Sequence, residues 1–202
     1  MNFFYPPQPI RLWPNGSFFQ QLSVDPNYLA EIKYNGWRLE IHIDPKALIF
    51  YNRHGTIINI DTTLFADSFK NIPAKSVFDG ELINFRTIDV KNVIVLWDCM
   101  FWGGKDLRPL PLYERRTYLD CFKLAPKKLT SKKKGQVFWN KQWKSNFPAL
   151  YEKVIERNAP FEEGLVIKDK TSKYEFSIKS KFETASWYKI RKIGNHALVE
   201  DK

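Results

Sequence analysis

The clearest pattern in the chain is a period-two alternation, with Trp37, Leu39, Ile41 and Ile43 set against Arg38, Glu40, His42 and Asp44. Such alternation marks a half-buried strand, and the preceding Asn35-Gly36 is a turn or bulge signal. In the extended stretch before it, Glu31 and Lys33 share one face and Ala30 and Ile32 the other. The pattern predicts a hairpin with a polar pair on one side. Asp44-Pro45 then makes a turn, and Ala47–Arg53 returns as a second strand that ends in the turn Asn52-Arg53-His54-Gly55. His54 has no cluster of further ligands near it and reads as a solvated turn residue.

Residues 64–72 predict a short helix. Ser76–Phe85 reads as a strand with Phe78, Gly80 and Leu82 on one face and Asp79, Glu81 and Ile83 on the other. Two carboxylates on one face repel unless a cation or donors lie opposite. Asn92–Trp102 is a nearly continuous apolar run, as in a strand covered on both faces, and Asp98 inside it needs partners. Pro111 opens a predicted amphipathic helix over Leu112–Phe122, and Asn146 is a predicted cap for a helix with Pro148 in its first turn. Glu162–Lys168 reads as a loop entering a buried strand. Trp187–Lys192 is the last strand, with Trp187, Lys189 and Arg191 on one face. Five prolines among aromatics (Pro6, Pro7, Pro9, Pro14 and Pro26) predict an extended arm over 1–27, packed on a body spanning 28–202.

Composition narrows the class. With 202 residues, 44% hydrophobic and 16% aromatic, the chain can bury a substantial core. The formal net charge of +10 favours polyanionic partners such as nucleic acid or nucleotides. Two cysteines without a pairing pattern point to a reduced intracellular compartment such as the cytoplasm, and neither a signal pattern nor a membrane-length apolar run is present. The tract Lys123–Lys144 interleaves Lys127, Lys128, Lys132, Lys133, Lys134, Lys141 and Lys144 with Phe138, Trp139 and Trp143. Two readings stay open for it: a solvated surface loop, or a patch that grips phosphates and offers rings for stacking.

Three strands thus carry polar pairs spaced i, i+2: Glu31/Lys33, Asp79/Glu81 and Lys189/Arg191, with Glu163 at a strand entrance. Cations that neutralise phosphate, carboxylates that hold a divalent metal and a lysine able to act as nucleophile suit a nucleoside-triphosphate site. No glycine-rich phosphate loop of the P-loop or dinucleotide-binding kind is present.

In that order the residues match a known set of elements. Lys33-Tyr34-Asn35-Gly36-Trp37-Arg38 resembles the KxDGxR signature of ATP-dependent DNA ligases, whose core RNA ligases and mRNA-capping guanylyltransferases share. Asn52-Arg53-His54-Gly55 resembles the SRxG element and Phe78-Asp79-Gly80-Glu81-Leu82 the DGE element. Val95-Leu96-Trp97-Asp98 is similar to the strand bearing the base-stacking aromatic. Pro111-Leu112-Tyr113-Glu114-Arg115-Arg116 resembles PLxERR, Glu163–Lys168 resembles EGxxxK, and Trp187-Tyr188-Lys189-Ile190-Arg191 the terminal KxK.

The resemblance implies an α+β nucleotidyltransferase fold, ATP-grasp-like, of antiparallel sheets flanked by helices and with no OB-fold domain in this chain. It implies that Lys33 attacks ATP to give lysyl-AMP, which then passes to a 5′-phosphate at a DNA nick. Glu31 would recognise adenine, Trp97 stack on it, and Arg38 and Glu81 hold the ribose. Arg53 would approach nucleotide and strand phosphates, Glu163 with Asp79 organise Mg²⁺, and Lys168, Lys189 and Arg191 meet the nucleotide, the last two at its α-phosphate. Lys132, Lys133 and Lys134 join Arg53 as nucleic-acid contacts. Asn35 departs from the family's aspartate, keeping its shape but not its charge, so sealing is expected to lag behind lysine adenylation. The chain ends at Lys202, without room for the OB-fold that usually follows; an isolated catalytic domain, a fragment, and a minimal enzyme that relies on a separate OB-fold or DNA-binding partner for closure stay open as expectations. A monomer is expected. An RNA ligase, and a non-catalytic nucleotide- or nucleic-acid-binding module of the same fold, stay open as alternatives.

Overall fold

A computed structural model of the chain describes residues 2–84, 90–131 and 134–192. In chain order the elements are β1 (Gln8–Arg11), α1 (Ser17–Val24), β2 (Tyr28–Tyr34), β3 (Trp37–Ile43), β4 (Leu48–Asn52), α2 (Ala66–Phe69), β5 (Ser76–Ile83), β6 (Val93–Trp102), β7 (Lys105–Asp106), α3 (Leu112–Thr117), β8 (Lys123–Leu124), β9 (Gln136–Trp139), β10 (Gln142–Trp143), α4 (Phe147–Arg157), β11 (Glu162–Asp169) and β12 (Glu183–Arg191). They form two sheets, ordered β1-β12-β11-β2-β10 and β4-β3-β5-β6-β9-β8, with β7 beside β6. Most pairings are antiparallel as expected; β1 with β12, β6 with β9 and β8 with β9 run parallel.

The predicted hairpin at Asn35-Gly36 does not form. β2 and β3 belong to different sheets, and these two residues carry the chain from one to the other. Their apolar faces have different destinations. Ala30 and Ile32 pack with Leu165, Ile167 and Ile190 under α1 and α4, whereas Leu39 and Ile41 pack with Phe50, Phe65, Phe78 and Leu82. The crossing passes so close to β5 that a Cβ on Gly36 would lie 2.3 Å from the Leu82 carbonyl oxygen. Only glycine fits there.

β6 explains why its sequence is apolar throughout. Val93 and Val95 face the first core and Ile94, Leu96 and Cys99 the second, so the strand is the partition between them. Several local expectations change. Within the segment expected as an extended arm, Ser17–Val24 is helical and buries Phe19 and Leu22. The helix expected over 64–72 is a 3-10 turn at Thr62–Phe65 followed by the short α2, and α3 ends at Thr117. Asn146 occupies the N-cap of α4 with φ 56° but makes no side-chain cap.

Candidate active site

The two sheets face each other across a cleft of about 450 Å³. β2, β11 and β12 form one wall, β3, β5 and β6 the other, and Pro6, Gln8 and Pro9 of the N-terminal segment cover an edge. Register places the first wall's polar groups in rows. Gly164 of β11 pairs with both Lys33 and Arg191, and Val166 with both Glu31 and Lys189. Lys33 and Arg191 therefore flank Gly164, whose φ of +146° and clash distance of 1.9 Å from the Ile190 oxygen to a built Cβ exclude any side chain.

A register shift between Glu162 and Gly164 re-aims the two adjacent glutamates. Glu162 turns to Arg157 of α4, 2.8 Å away. Glu163 enters the cleft, where its Oε1 contacts Lys33 Nζ and its Oε2 lies 3.6 Å from Arg191 Nε. Partial burial holds the Lys189 ammonium below its ordinary pKa; Glu183 opposes the shift, while Arg191, Lys33 and Arg11 reinforce it.

On the facing wall Arg38 is committed to structure. Its Nε and Nη2 donate to the two oxygens of Asp79 at 3.0 and 2.5 Å, and its Nη1 donates to the Pro7 carbonyl at 2.6 Å. Tyr174 donates its hydroxyl to the same Asp79 at 2.7 Å. The expectation that Asp79 helps hold a metal is thereby corrected: it is 1% exposed and both its oxygens are taken. Glu81, two residues on, does line the cleft and accepts from the Gly36 N–H at 2.9 Å. Burial pushes its carboxyl up to about 7, against the pull of Lys33 and the Gly36 N–H.

At the far end the charges are buried and mutually bound. Glu31, 1% exposed, receives Arg116 Nη1 at 2.8 Å and Gln142 Nε2 at 2.9 Å on one oxygen, with Lys168 Nζ 2.9 Å from the other. Arg116 also donates to the carbonyls of Trp97 (2.9 Å) and Asn140 (2.5 Å). Lys168 Nζ lies 4.4 Å from the Trp187 ring centroid and 5.6 Å from that of Trp97. Desolvation pulls the pKa values of both Lys168 and Arg116 down, opposed chiefly by Glu31. Arg53 lies at the exposed rim, its Nε 3.2 Å from His54 Nε2, and both residues line the cleft.

Of the sequence-predicted residues, Glu31, Lys33, Arg38, Arg53, Glu81, Trp97, Glu163, Lys168, Lys189 and Arg191 share this one cleft. Lys134 does not; it is exposed and paired with Asp67 at 2.9 Å. Lys132 and Lys133 fall outside the described residues. The rings that one of the two readings offered for stacking are partly buried: Phe138 and Trp143 against the first core and Trp139 against the second. Sequence reasoning missed Arg116, Asn140 and Gln142. The sequence signal for a buried cation was Asp98, which Arg115 answers; nothing in the sequence marked Glu31 as buried or Arg116 as its partner. Asn35, at the crossing, reaches the Pro160 carbonyl through Nδ2 at 3.4 Å.

Two sheets enclosing a lysine, two carboxylates and a cationic strand define a nucleotidyltransferase domain. Residues 84–191, just over half of the 202, match the family model described as the ATP dependent DNA ligase domain, and the chain belongs to that family. DNA ligase 3 of Dictyostelium discoideum is 28% identical over an alignment of length 200 that covers 86% of this chain and 16% of that protein. A DNA ligase-like protein derived from the SPbeta prophage of Bacillus subtilis (strain 168) is 26% identical over an alignment of length 184 that covers 82% of this chain and 62% of the relative. The chain thus spans between about a sixth and three fifths of these relatives. Among solved structures, mycobacterial DNA ligase D complexed with ATP and MES aligns with a TM-score of 0.63 at 16% identity, over 91% of this chain and 60% of that one. The ATP-dependent DNA ligase of bacteriophage T7, in complex with ATP, aligns with a TM-score of 0.51 at 17% identity, over 93% and 68%. The fold is theirs.

Proposed function

We propose that this cleft binds ATP and that Lys33 carries its AMP to a DNA nick. The observation that carries the reading is the Lys33–Glu163–Arg191 row, with Lys189 beside it, at the floor of a cleft walled by Trp97 and Trp187. In the first step Lys33 Nζ forms a bond to the α-phosphorus and the bond to the β-phosphate oxygen breaks, releasing pyrophosphate. The nitrogen must shed a proton to attack, and Glu163 Oε1 is in contact to receive it. Lys189 and Arg191, cations of the same cleft, suit the negative charge that would accumulate on the α-phosphate. AMP then passes to a 5′-phosphate at the nick, and the adjoining 3′-OH displaces it as the phosphodiester forms.

Among the described residues no three His, Cys, Asp or Glu side chains cluster as a metal cage. Mg²⁺ is ordinarily held by one or two carboxylates together with substrate phosphates. Glu163 and Glu81, two cleft carboxylates close enough to influence each other's charge, suit that mode. When bound, the ion would neutralise phosphate charge; Glu163 would have to release Lys33 to hold it.

The test is covalent labelling. Incubated with Mg²⁺ and α-labelled ATP, the protein is expected to take up acid-stable label that pyrophosphate removes, and Lys33→Ala to take up none. Label that persists in Lys33→Ala would sink the assignment. Nicked duplexes of DNA and of RNA, offered in turn to the labelled protein, then report the substrate: faster discharge on DNA supports the reading, faster discharge on RNA replaces it.

A further inference from the structure

Glu31 is the side chain that the family resemblance assigns to the nucleobase, yet its carboxylate is already engaged by Arg116, Gln142 and Lys168. A carboxylate has about four acceptor positions; two are taken by hydrogen bonds from Arg116 and Gln142, and the Lys168 ammonium lies in ion-pair contact with the other oxygen. Asn140 is in the opposite condition. It lies between β9 and β10, is 1% exposed, and stands on the wall of the same cleft. Its Nδ2 donates to the Ile32 carbonyl at 2.9 Å. A carbonyl only accepts, so this bond fixes the amide with nitrogen toward Ile32 and oxygen away from it. Its backbone is held as well, with N–H donating to Leu96 at 2.7 Å and carbonyl accepting from Arg116 at 2.5 Å. Of the polar atoms of Asn140, only Oδ1 is buried with no hydrogen-bond partner among the described residues, and it is the one acceptor in that condition beside the donors Trp97 Nε1, Arg108 Nη1, Arg116 Nε and Lys168 Nζ. Buried acceptors are rarely left unpaired because losing hydration without a replacement is costly.

We propose that Asn140 Oδ1 accepts from the exocyclic amine of the purine and so sets the preference for a 6-amino over a 6-oxo base. The inference rests on the nucleotide reading of the cleft. Oδ1 offers lone pairs and no hydrogen, so it attracts an amine and repels a ring carbonyl. Its anchorage reinforces the selection. Ile32 precedes the nucleophile in β2, and Gln142 pairs in register with Glu31, so the acceptor cannot swing away without breaking contacts to the strand that carries Lys33.

Equilibrium binding tests this apart from chemistry. In a Lys33→Ala background, affinities are measured for ATP, inosine triphosphate and purine riboside triphosphate, which carries no group at the sixth ring position. ATP is expected to bind about tenfold more tightly than either analogue. Adding Asn140→Ala is expected to bring ATP to within about twofold of purine riboside triphosphate by weakening ATP alone. Asn140→Asp, which keeps an oxygen acceptor, is expected to retain preference for the amine, and serves if Asn140→Ala does not fold. Equal affinity for the three nucleotides with Asn140 intact, a preference that survives Asn140→Ala, or a parallel loss for all three would each overturn the proposal. Binding with the expected pattern but no label on wild-type Lys33 would overturn the covalent step and leave this inference standing. Absence of all triphosphate binding by folded protein would overturn both.

Discussion

At the residue scale Glu81 is the informative group, because its carboxyl is buried without a full ion pair. Its pKa rises from 4.5 to about 7 on folding, so the folded chain holds this proton more tightly than the unfolded one. The resulting contribution to stability is complete below about 4.5 and disappears as pH rises through about 7. Glu81→Gln keeps an acceptor for the Gly36 N–H and removes the titration. Between pH 5 and pH 8, wild type is expected to lose up to about 3 kcal/mol relative to that variant, by urea unfolding at each pH. A pH-independent difference would show that the carboxylate is solvated in the folded state.

At the element scale the instructive case is α3, a helix of six residues that could not stand alone. Arg115 anchors it. Fully buried, it meets both oxygens of Asp98 at 2.8 Å and the carbonyls of Leu110 and Ser172 at 2.5 and 2.9 Å. Arg115→Met strands a buried carboxylate and is expected to cost about 3–5 kcal/mol in chemical denaturation, with Asp98→Asn in the same chain recovering part of it. This anchorage also marks how far the sequence could be read. Periodicity located β3, β5 and β12, a continuous apolar run located β6, and the demand of Asp98 for a partner was plain. Which cation answered it was not, because Arg115 and Arg116 sit in a stretch that reads as an amphipathic helix, whose charged residues belong on the solvent face. Asn35-Gly36 misled for a related reason: a local turn signal says that the chain changes direction, not which sheet receives the next strand. The bulge that aims Glu163 inward left no trace in composition, since Glu162 and Glu163 are chemically alike. Asn140 was invisible because nothing local distinguishes an amide with one orphaned oxygen.

At the scale of the whole molecule, the segment before α1 joins the two sheets. β1 runs beside β12, the Leu12 N–H donates to Lys189 at 2.9 Å, Pro7 accepts from Arg38 of β3, and the Phe4 N–H donates to Glu40 at 3.2 Å. Removing residues 1–7 keeps β1 and detaches the segment from the second sheet. The truncated protein is expected to fold, and to bind ATP about tenfold more weakly because Arg38 loses an anchor and the cleft loses Pro6. Calorimetric titration checks it; unaltered affinity would make the segment a bystander. No described helix is long and apolar enough to cross a membrane.

The crossing at Asn35-Gly36 also bears on the order in which the chain is made. β3, β4, β5 and β6 find their partners among neighbours in sequence, and pairings of that kind form early. β2 has no such option, since Lys33 lies opposite Gly164 and the strands beside it are β10 and β11. As the chain leaves the ribosome, the wall formed by β3, β5 and β6 can assemble while β2 waits for strands not yet synthesised. Glu163 reaches Lys33 with β11 and Arg191 only with β12, so an unfinished chain leaves Lys33 without its full row of neighbours.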